Sequence, residues 1–385
     1  MLSGGVSAVS GLSIALGAGL LGLALRTAWR RRHAPGLPAA PALAVDRSAR
    51  PPYVTILLPV RDEESNILSC LKTLLAQTDR PLVRVIDDGS ADATAVLARQ
   101  AAEEQARAEG TSRLEVLEAG PLPPGWRGKV HALAAGEKGV RTPWILSTDA
   151  DTRHHPELLA RCRAAAEARG LDALSIAGSQ EARGFGENLL VPAVFAFLDT
   201  LLGDWRPAAD GTGTPVANGQ LILLRRETWE RCGGFESVRN ESIDDVATVA
   251  CIRRQGGRTA FVRAPGLLRV RMYRGAAEAV RGWRRNLGGL FGDAPGLVAA
   301  TLAVLLVPPA VLLAALATGQ WAAALGLWGA GALSSLLLRT GSGNAPLYGL
   351  LYPCDALLLA AVLALGVVDR RRGRLASWKG REINV

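Results

Sequence analysis

The chain has 385 residues, 49% of them hydrophobic, and a formal net charge of +9. Its five cysteines, at 70, 162, 232, 251 and 354, show no CxxC spacing, which argues against a zinc site and a disulfide framework and fits a reducing cytoplasm. The basic residues gather at 26 to 32, 269 to 285 and 370 to 374, beside apolar segments, so the charge points to anionic lipid headgroups ahead of nucleic acid.

Residues 5 to 25, GVSAVSGLSIALGAGLLGLAL, carry no charge. A helix needs about 20 apolar residues to cross a bilayer. Arg26, Arg30, Arg31 and Arg32 follow this run, and no basic stretch precedes it. That order predicts an anchor rather than a removed leader, with the N-terminus outside and the next domain in the cytoplasm. A basic, proline-rich linker at 28–50 follows.

YVTILLPV, 53 to 60, is a short apolar run rich in branched residues and predicts a buried strand. A helix is expected over about 64–77, a strand over 82–86, a helix over about 92–109 and a strand over 113–119. GKVHALAAGEKGV suits a helix, PWILST (143 to 148) a strand and PELLARCRAAAEARG a helix. DALSIAGSQ suits a strand, and QLILLRRETWERCGG a strand followed by a short helix. Strands alternating with helices imply an α/β domain whose mostly parallel sheet is covered on both faces. Ligands of such sheets bind beyond the carboxyl ends of the strands.

Acids recur at that edge: Asp62, Glu63 and Glu64 after the first strand, Asp87 and Asp88 after the second, Asp149 and Asp151 after the fourth. Asp87-Asp88-Gly89-Ser90 suits either a capped turn or a carboxylate that accepts hydrogen bonds from a base or ribose. Asp149-Ala150-Asp151 suits either a helix cap or a pair of carboxylates on one side of an extended segment, able to hold a hard divalent cation. His154 and His155, adjacent in sequence, lack the spacing of a metal pair and are expected at the surface or in a cap. Lys129, in the loop-rich PLPPGWRGKVHAL, is either solvated or a point charge for a diphosphate.

The series PVRDEESNI, VIDDGSADAT, PLPPGWRGKVHALAAG, STDADT, NGQLILLRRETWERCGGF and IDDVATVACIRRQGG resembles a family 2 glycosyltransferase. The resemblance is strongest to the membrane-attached branch that glycosylates hopanoid, carotenoid and ceramide-type lipids. It covers about 53 to 290, in order, and extends to the terminal SWKGRE. It implies a GT-A fold, a nucleotide-diphosphate sugar as donor (a UDP-sugar), Mg²⁺ or Mn²⁺, and inversion at the anomeric carbon. Asp87, Asp88, Glu63, Lys129 and Asp149 would then bind the donor. Asp151, with Asp149, would hold the metal. Asn218, Gly219 and Gln220 would lie by the sugar and acceptor. In ESIDDVATV, Asp245 would be the catalytic base, Asp244 its orienting neighbour and Glu241 a helix-start residue.

One departure concerns the (Q/R)xxRW motif of processive and ceramide-type relatives. Here the corresponding stretch is RGWRRN, 281 to 286. Trp283 as an aromatic wall and Arg284 as a phosphate contact would cover part of its work, and the departure speaks against a polymer synthase. YRGAAEAVRGWRRNLGGLF, 273 to 291, has apolar residues at helical spacing among arginines and predicts an interfacial amphipathic helix. Apolar segments follow at about 296–317, 320–338 and 346–368. Val307-Pro308-Pro309-Ala310 interrupts the first, which is expected to re-enter the membrane and return while the other two cross. That arrangement would keep the basic tail in the cytoplasm.

The expected organisation is a membrane anchor at 1–27, the linker at 28–50, a GT-A catalytic domain at 51–270, an interfacial helix at 271–293, membrane segments at 294–369 and a basic tail at 370–385. The function expected is a multi-pass inner-membrane glycosyltransferase with a cytoplasmic catalytic domain, a lipid acceptor and no nucleic-acid partner. A polysaccharide synthase and a catalytically silent membrane scaffold are the alternatives.

Overall fold

The computed structural model describes residues 2–34, 36–39, 52–202, 215–241, 243–340, 345–373, 377–378 and 381–382. Most of the expected linker, half of the basic tail, and Ser242 of the acidic stretch lie outside the described residues.

The elements run in this order: α1 (Leu2–Arg32), β1 (Val54–Val60), α2 (Ile67–Leu75), β2 (Leu82–Asp87), α3 (Thr94–Glu109), β3 (Leu114–Glu118), α4 (Gly128–Glu137), β4 (Trp144–Thr148), β5 (Thr152–His154), α5 (Leu158–Ala168), β6 (Ala173–Ala177), β7 (Ser179–Gln180), α6 (Phe185–Leu202) and β8 (Leu221–Arg225). There follow α7 (Arg226–Arg231), α8 (Asp244–Arg254), β9 (Thr259–Arg263), β10 (Leu268–Val270), α9 (Ala276–Phe291), α10 (Pro295–Ala317), α11 (Trp321–Thr340), α12 (Cys354–Arg371), β11 (Ser377–Trp378) and β12 (Arg381–Glu382).

The main sheet has the order β3-β2-β1-β4-β8-β6-β9. All its pairings are parallel except those of β8, which runs antiparallel to β4 and β6. The mostly parallel sheet expected from the alternating pattern is therefore present. Period-two geometry divides its side chains between two cores. Val54, Ile56, Leu58 and Val60 of β1 face α2, α3 and α5, together with Leu221 and Leu223 of β8. Leu57, Ile145, Ile222 and Leu224 face the other way, towards Val130 and Leu133 of α4, Trp229 of α7 and Ile252 of α8. Both faces being buried explains why the central strands are continuous apolar runs.

A small second sheet, β5-β10-β7, braces the segment after β4. Its β10 was not expected from the sequence, and neither were α6 and β9. α6 lacks a clean helical stripe because it is apolar on most sides and contains Pro192. Its residues Leu190, Val191 and Val194 join Trp283, Leu287 and Phe291 of α9 and Leu359, Leu363 and Val367 of α12 in a third core. The apolar stripe of α9 is thus packed against protein. Gly366 makes that packing close: a Cβ there would stand 2.3 Å from the carbonyl oxygen of Arg284.

Among the described residues, three helices are long and apolar enough to cross a membrane: α1 over 8–32, α10 and α11. α1 buries small residues, Ser13, Gly17, Ala24 and Thr27, and its Gly17 sits beside Ala330 of α11. Small residues at such spacing let helix backbones approach where lipid offers no hydrophobic drive. Ser10 donates to Gln320 at 2.7 Å, and Arg31 donates to the Leu338 carbonyl, so α1 and α11 run parallel.

The expected re-entrant turn at Pro308-Pro309 is not what forms. α10 continues as one helix through both prolines, which are buried. Proline removes an N–H donor, but a membrane helix tolerates this where neighbouring helices and local adjustments compensate. The last apolar segment also differs from expectation. Its helix begins only at Cys354, carries Asp355 and Asp369, and packs on α9 and α6.

Candidate active site

The carboxyl ends of β1, β2 and β4 open into a cleft of about 1640 Å³. Two loops form its first wall. Asp62, held at a left-handed φ of 51°, accepts from the Ala91 N–H at 2.7 Å and donates its own N–H to Ser90 at 3.0 Å. The Glu63 N–H donates to Thr94 at 2.7 Å, and Asn66 donates to the Glu63 carboxylate at 2.8 Å. These bonds tie the loop after β1 to the loop after β2, and Asp62, Glu63 and Asp88 all line the cleft.

Asp88 is 2% exposed, and Arg61 donates to its carbonyl oxygen at 2.7 Å. Asp87 has a different job. Its carboxylate accepts from the Ser90 hydroxyl and N–H, capping its own turn, and it is not among the residues lining the cleft. Of the two acids in that turn, Asp88 is the one presented to the cleft.

Asp149 leaves the end of β4, and its Oδ1 lies 2.7 Å from Nζ of Lys129, near the start of α4. Burial disfavours the Lys129 ammonium, but Asp149, Asp244 and Asp245 together outweigh it and hold the amine more firmly protonated than an ordinary lysine. Asp151 also lines the cleft, and its carbonyl oxygen accepts the Arg271 N–H at 3.0 Å. Among the described residues no group of three or more His, Cys, Asp or Glu side chains is placed to hold a metal. The acids after β4 therefore fit only a cation that completes its shell with substrate phosphates and water, as Mg²⁺ does.

Asn218, Gly219 and Gln220 precede β8 and form the base of the cleft. The Asn218 N–H donates to Ser175 at 2.8 Å, Ser175 donates back to the Asn218 carbonyl at 3.1 Å, and the Gln220 N–H donates to the Asn218 side chain at 3.0 Å. The Gly219 N–H donates to Oδ2 of Asp245 at 2.7 Å. A Cβ on Gly219 would lie 3.1 Å from Nζ of Lys129 and 3.6 Å from Oδ2 of Asp245, so glycine leaves the space in which these charges meet.

Asp244 and Asp245 occupy the first turn of α8, where the helix dipole favours negative charge. Burial nevertheless pushes the Asp245 carboxyl up to about 6, and Asp244 adds to the push; Lys129 and the N–H groups of Val246 and Gly219 oppose it. A carboxylate with this proton affinity suits a general base near neutral pH. Glu241 lies outside α8, exposed.

Trp283 is buried, packs edge to face on Phe195 with ring centroids 5.3 Å apart, and lines the cleft. Arg284 also lines it, but its guanidinium is bonded to Asp369 of α12. Arg271, Arg281 and Arg285 line the cleft too. The sequence showed this basic cluster, yet only the tertiary structure turns part of it inward. Burial holds the Arg285 guanidinium below its ordinary value.

His154 corrects an expectation. It is 6% exposed, within 3.1 Å of the Thr148 hydroxyl and 3.3 Å of Thr73, and burial lowers it to about 3. A charged imidazole would be unpaired beneath the sheet, so it stays neutral and braces β5. His155 is exposed, as expected.

Residues 51–285 match the model of the family described as glycosyltransferase like family 2. The chain is 26% identical over 254 residues to 4,4'-diaponeurosporenoate glycosyltransferase of Staphylococcus aureus (strain MRSA252), and 25% identical over 254 residues to that of strain USA300. Each match spans 64% of this chain and 64% of the relative, just under two thirds of the relative's length. Among solved structures, the mannosyltransferase PcManGT from Pyrobaculum calidifontis, in complex with GDP-Man and Mn²⁺, superposes with a TM-score of 0.55 at 23% identity. That alignment covers 94% of this chain and 99% of the other, and the likeness is one of fold. It is the GT-A architecture that the motifs implied.

Proposed function

The chain belongs to the glycosyltransferase like family 2, and from that premise we propose that it is a membrane-bound, inverting enzyme that moves a sugar from a nucleotide diphosphate to a lipid. The observation that carries this reading is Asp245, fixed by the Gly219 N–H at 2.7 Å in a cleft it shares with Asp88, Asp149 and Asp151. The relatives named for diaponeurosporenoate glycosylation support a lipid acceptor, and the fold neighbour holding GDP-Man and Mn²⁺ supports a nucleotide-sugar donor.

In this reading Asp88 and Glu63 meet the nucleoside, and Lys129 meets the diphosphate as a point charge. Asp151 and Asp149 would hold Mg²⁺ or Mn²⁺ with the substrate's phosphates. Such a cation, when bound, stabilises the negative charge of the leaving diphosphate. Asp245 accepts the proton of the acceptor hydroxyl as its oxygen attacks the anomeric carbon from the face opposite the diphosphate. The bond to the diphosphate breaks as the new glycosidic bond forms, which inverts that carbon. Asp244 raises the proton affinity of Asp245, and the Gly219 N–H fixes the orientation of its carboxylate.

The parallel course of α1 and α11 supports a three-pass topology. If α1 runs from outside to inside, α10 returns outward and α11 runs inward again. Arg30, Arg31, Arg32 and Arg339 then all lie on the side of the catalytic domain, in accord with the positive-inside rule. α12 and the basic tail stay on that cytoplasmic side. Exposed Trp29 and Trp321 sit at helix ends that this topology assigns to opposite interfaces.

The decisive experiment incubates the full-length protein in membranes with each common nucleotide sugar and Mg²⁺ or Mn²⁺, then analyses the lipids by mass spectrometry. A lipid heavier by one hexose or related sugar is expected. Release of no nucleotide from any donor would favour a silent scaffold.

A further inference from the structure

The volume and lining of the cleft exceed what a polar donor requires. Its volume is about 1640 Å³, whereas pockets for drug-sized ligands usually span about 300–1,000 Å³. Part of its wall comes from strand ends and carries the acids. Another part comes from α6 and α9, which contribute Phe195, Leu198, Leu287 and Leu290. None of these four side chains has a polar atom.

The two helices occupy a particular place in the fold. α6 packs on α9 as well as on α1, α11 and α12, and α9 leads within a few residues into α10. The apolar wall is therefore continuous with the helices that would cross the bilayer, on one side, and with Asp245 in the same cleft, on the other. Arg281 and Arg285 of α9 line the cleft beside this wall.

We propose that this wall, at the seam where α6 and α9 pack together, receives the hydrocarbon chain of the acceptor, which reaches the cleft from the membrane side and leaves its hydroxyl end at Asp245. The inference rests on the lipid-acceptor reading and adds the residues that recognise the chain. Apolar burial is non-directional and scales with the area removed from water, so the wall selects chain length rather than headgroup. Each methylene sequestered there contributes about fourfold in affinity.

The test uses full-length protein in vesicles containing phosphatidylglycerol, photolysed with a long-chain primary alcohol that carries a diazirine at the far end of its chain. Peptides of α6 and α9 take label, alongside the bilayer-facing surfaces of α10 and α11. Hexadecanol competes for the α6 and α9 label, and butanol does not. Leu198→Trp combined with Leu290→Trp removes most of that label, while the α10 and α11 label persists and reports a folded, inserted protein. If the double variant does not insert, Leu198→Trp alone carries the same expectation. Label confined to α10 and α11, or α6 and α9 label insensitive to hexadecanol or to tryptophan, overturns the proposal. The readout involves no sugar, so its failure would leave lipid glycosylation standing, and failure of lipid glycosylation would show separately as unmodified lipids.

Discussion

The backbone N–H of Gly219, just before β8, donates to Oδ2 of Asp245, in the first turn of α8, across 2.7 Å. The two residues are 26 positions apart and lie on separate elements. Their bond leaves Asp245 beside Lys129 and Asp244 in the cleft. Replacing Asp245 by Asn keeps an acceptor for that N–H but removes the base. Asp245→Asn is expected to cut transfer by about 10²–10⁴-fold while donor binding, measured by calorimetry with a nucleotide sugar, persists. Normal transfer by Asp245→Asn, with transfer lost in Asp244→Asn, would assign the base to the neighbour.

The pH profile of transfer reports the same carboxyl. A general base acts deprotonated, so the rate falls on the acid side of about 6, by about tenfold per pH unit. Asp244 raises that value and Lys129 lowers it. Asp244→Asn is therefore expected to move the acid limb to lower pH, and Lys129→Gln to move it higher. Rate against pH, at saturating donor, decides the matter; limbs unmoved in both variants would detach the profile from Asp245.

His154 links stability to pH in a definite direction. Its folded value, about 3, lies below the ordinary 6.5, so the unfolded chain binds the proton first. The associated stability is complete above 6.5 and is lost as pH falls through it, by about 1.4 kcal/mol per pH unit. His154→Gln is expected to flatten that slope between about pH 7 and about pH 5, as read from unfolding midpoints. An unchanged slope would assign the acid sensitivity to other groups.

Arg339, at the end of α11, is fully buried. It donates to the carbonyls of Asn188 and Leu189 on α6 at 2.7 and 2.9 Å, and to Asp355 of α12 at 3.2 Å. Arg339→Leu strands a buried carboxylate and is expected to cost about 3–5 kcal/mol. Arg339→Leu with Asp355→Leu removes both charges and is expected to recover part of that loss. Thermal unfolding in detergent micelles measures both; a double variant less stable than the single one would contradict this account.

A cysteine added after Val385 tests the topology. Three passes keep the tail with the catalytic domain, so an impermeant thiol reagent labels it only after the cells are opened. Labelling of intact cells would place the tail outside and break the three-pass reading.

Much of the fold was legible because its signals are local. Apolar runs such as VTILLPV are buried on both faces of a sheet, and that burial is written in consecutive residues. The acids after β1, β2 and β4 were visible because strand ends fix where ligands meet an α/β sheet. Elements whose burial depends on distant partners were not legible. α6 is apolar on most sides because α9, α11 and α12 surround it, and no periodicity within it announces that.

The sequence by itself determined the α/β class, the apolar runs that form α1, α10 and α11, and the chemical types available in the cleft. Those follow from short-range pattern and from hydrophobicity. The tertiary structure decided which member of each pair performs which role. It turned Asp88 to the cleft and Asp87 to its own turn, bonded Arg284 to Asp369 while Arg285 lined the cleft, and buried His154 while exposing His155. It also carried α10 straight through Pro308-Pro309. Apart from the local bond of Asp87 to Ser90, these outcomes depend on hydrogen bonds and packing between residues far apart in the chain, and no stretch of neighbouring residues encodes such partners.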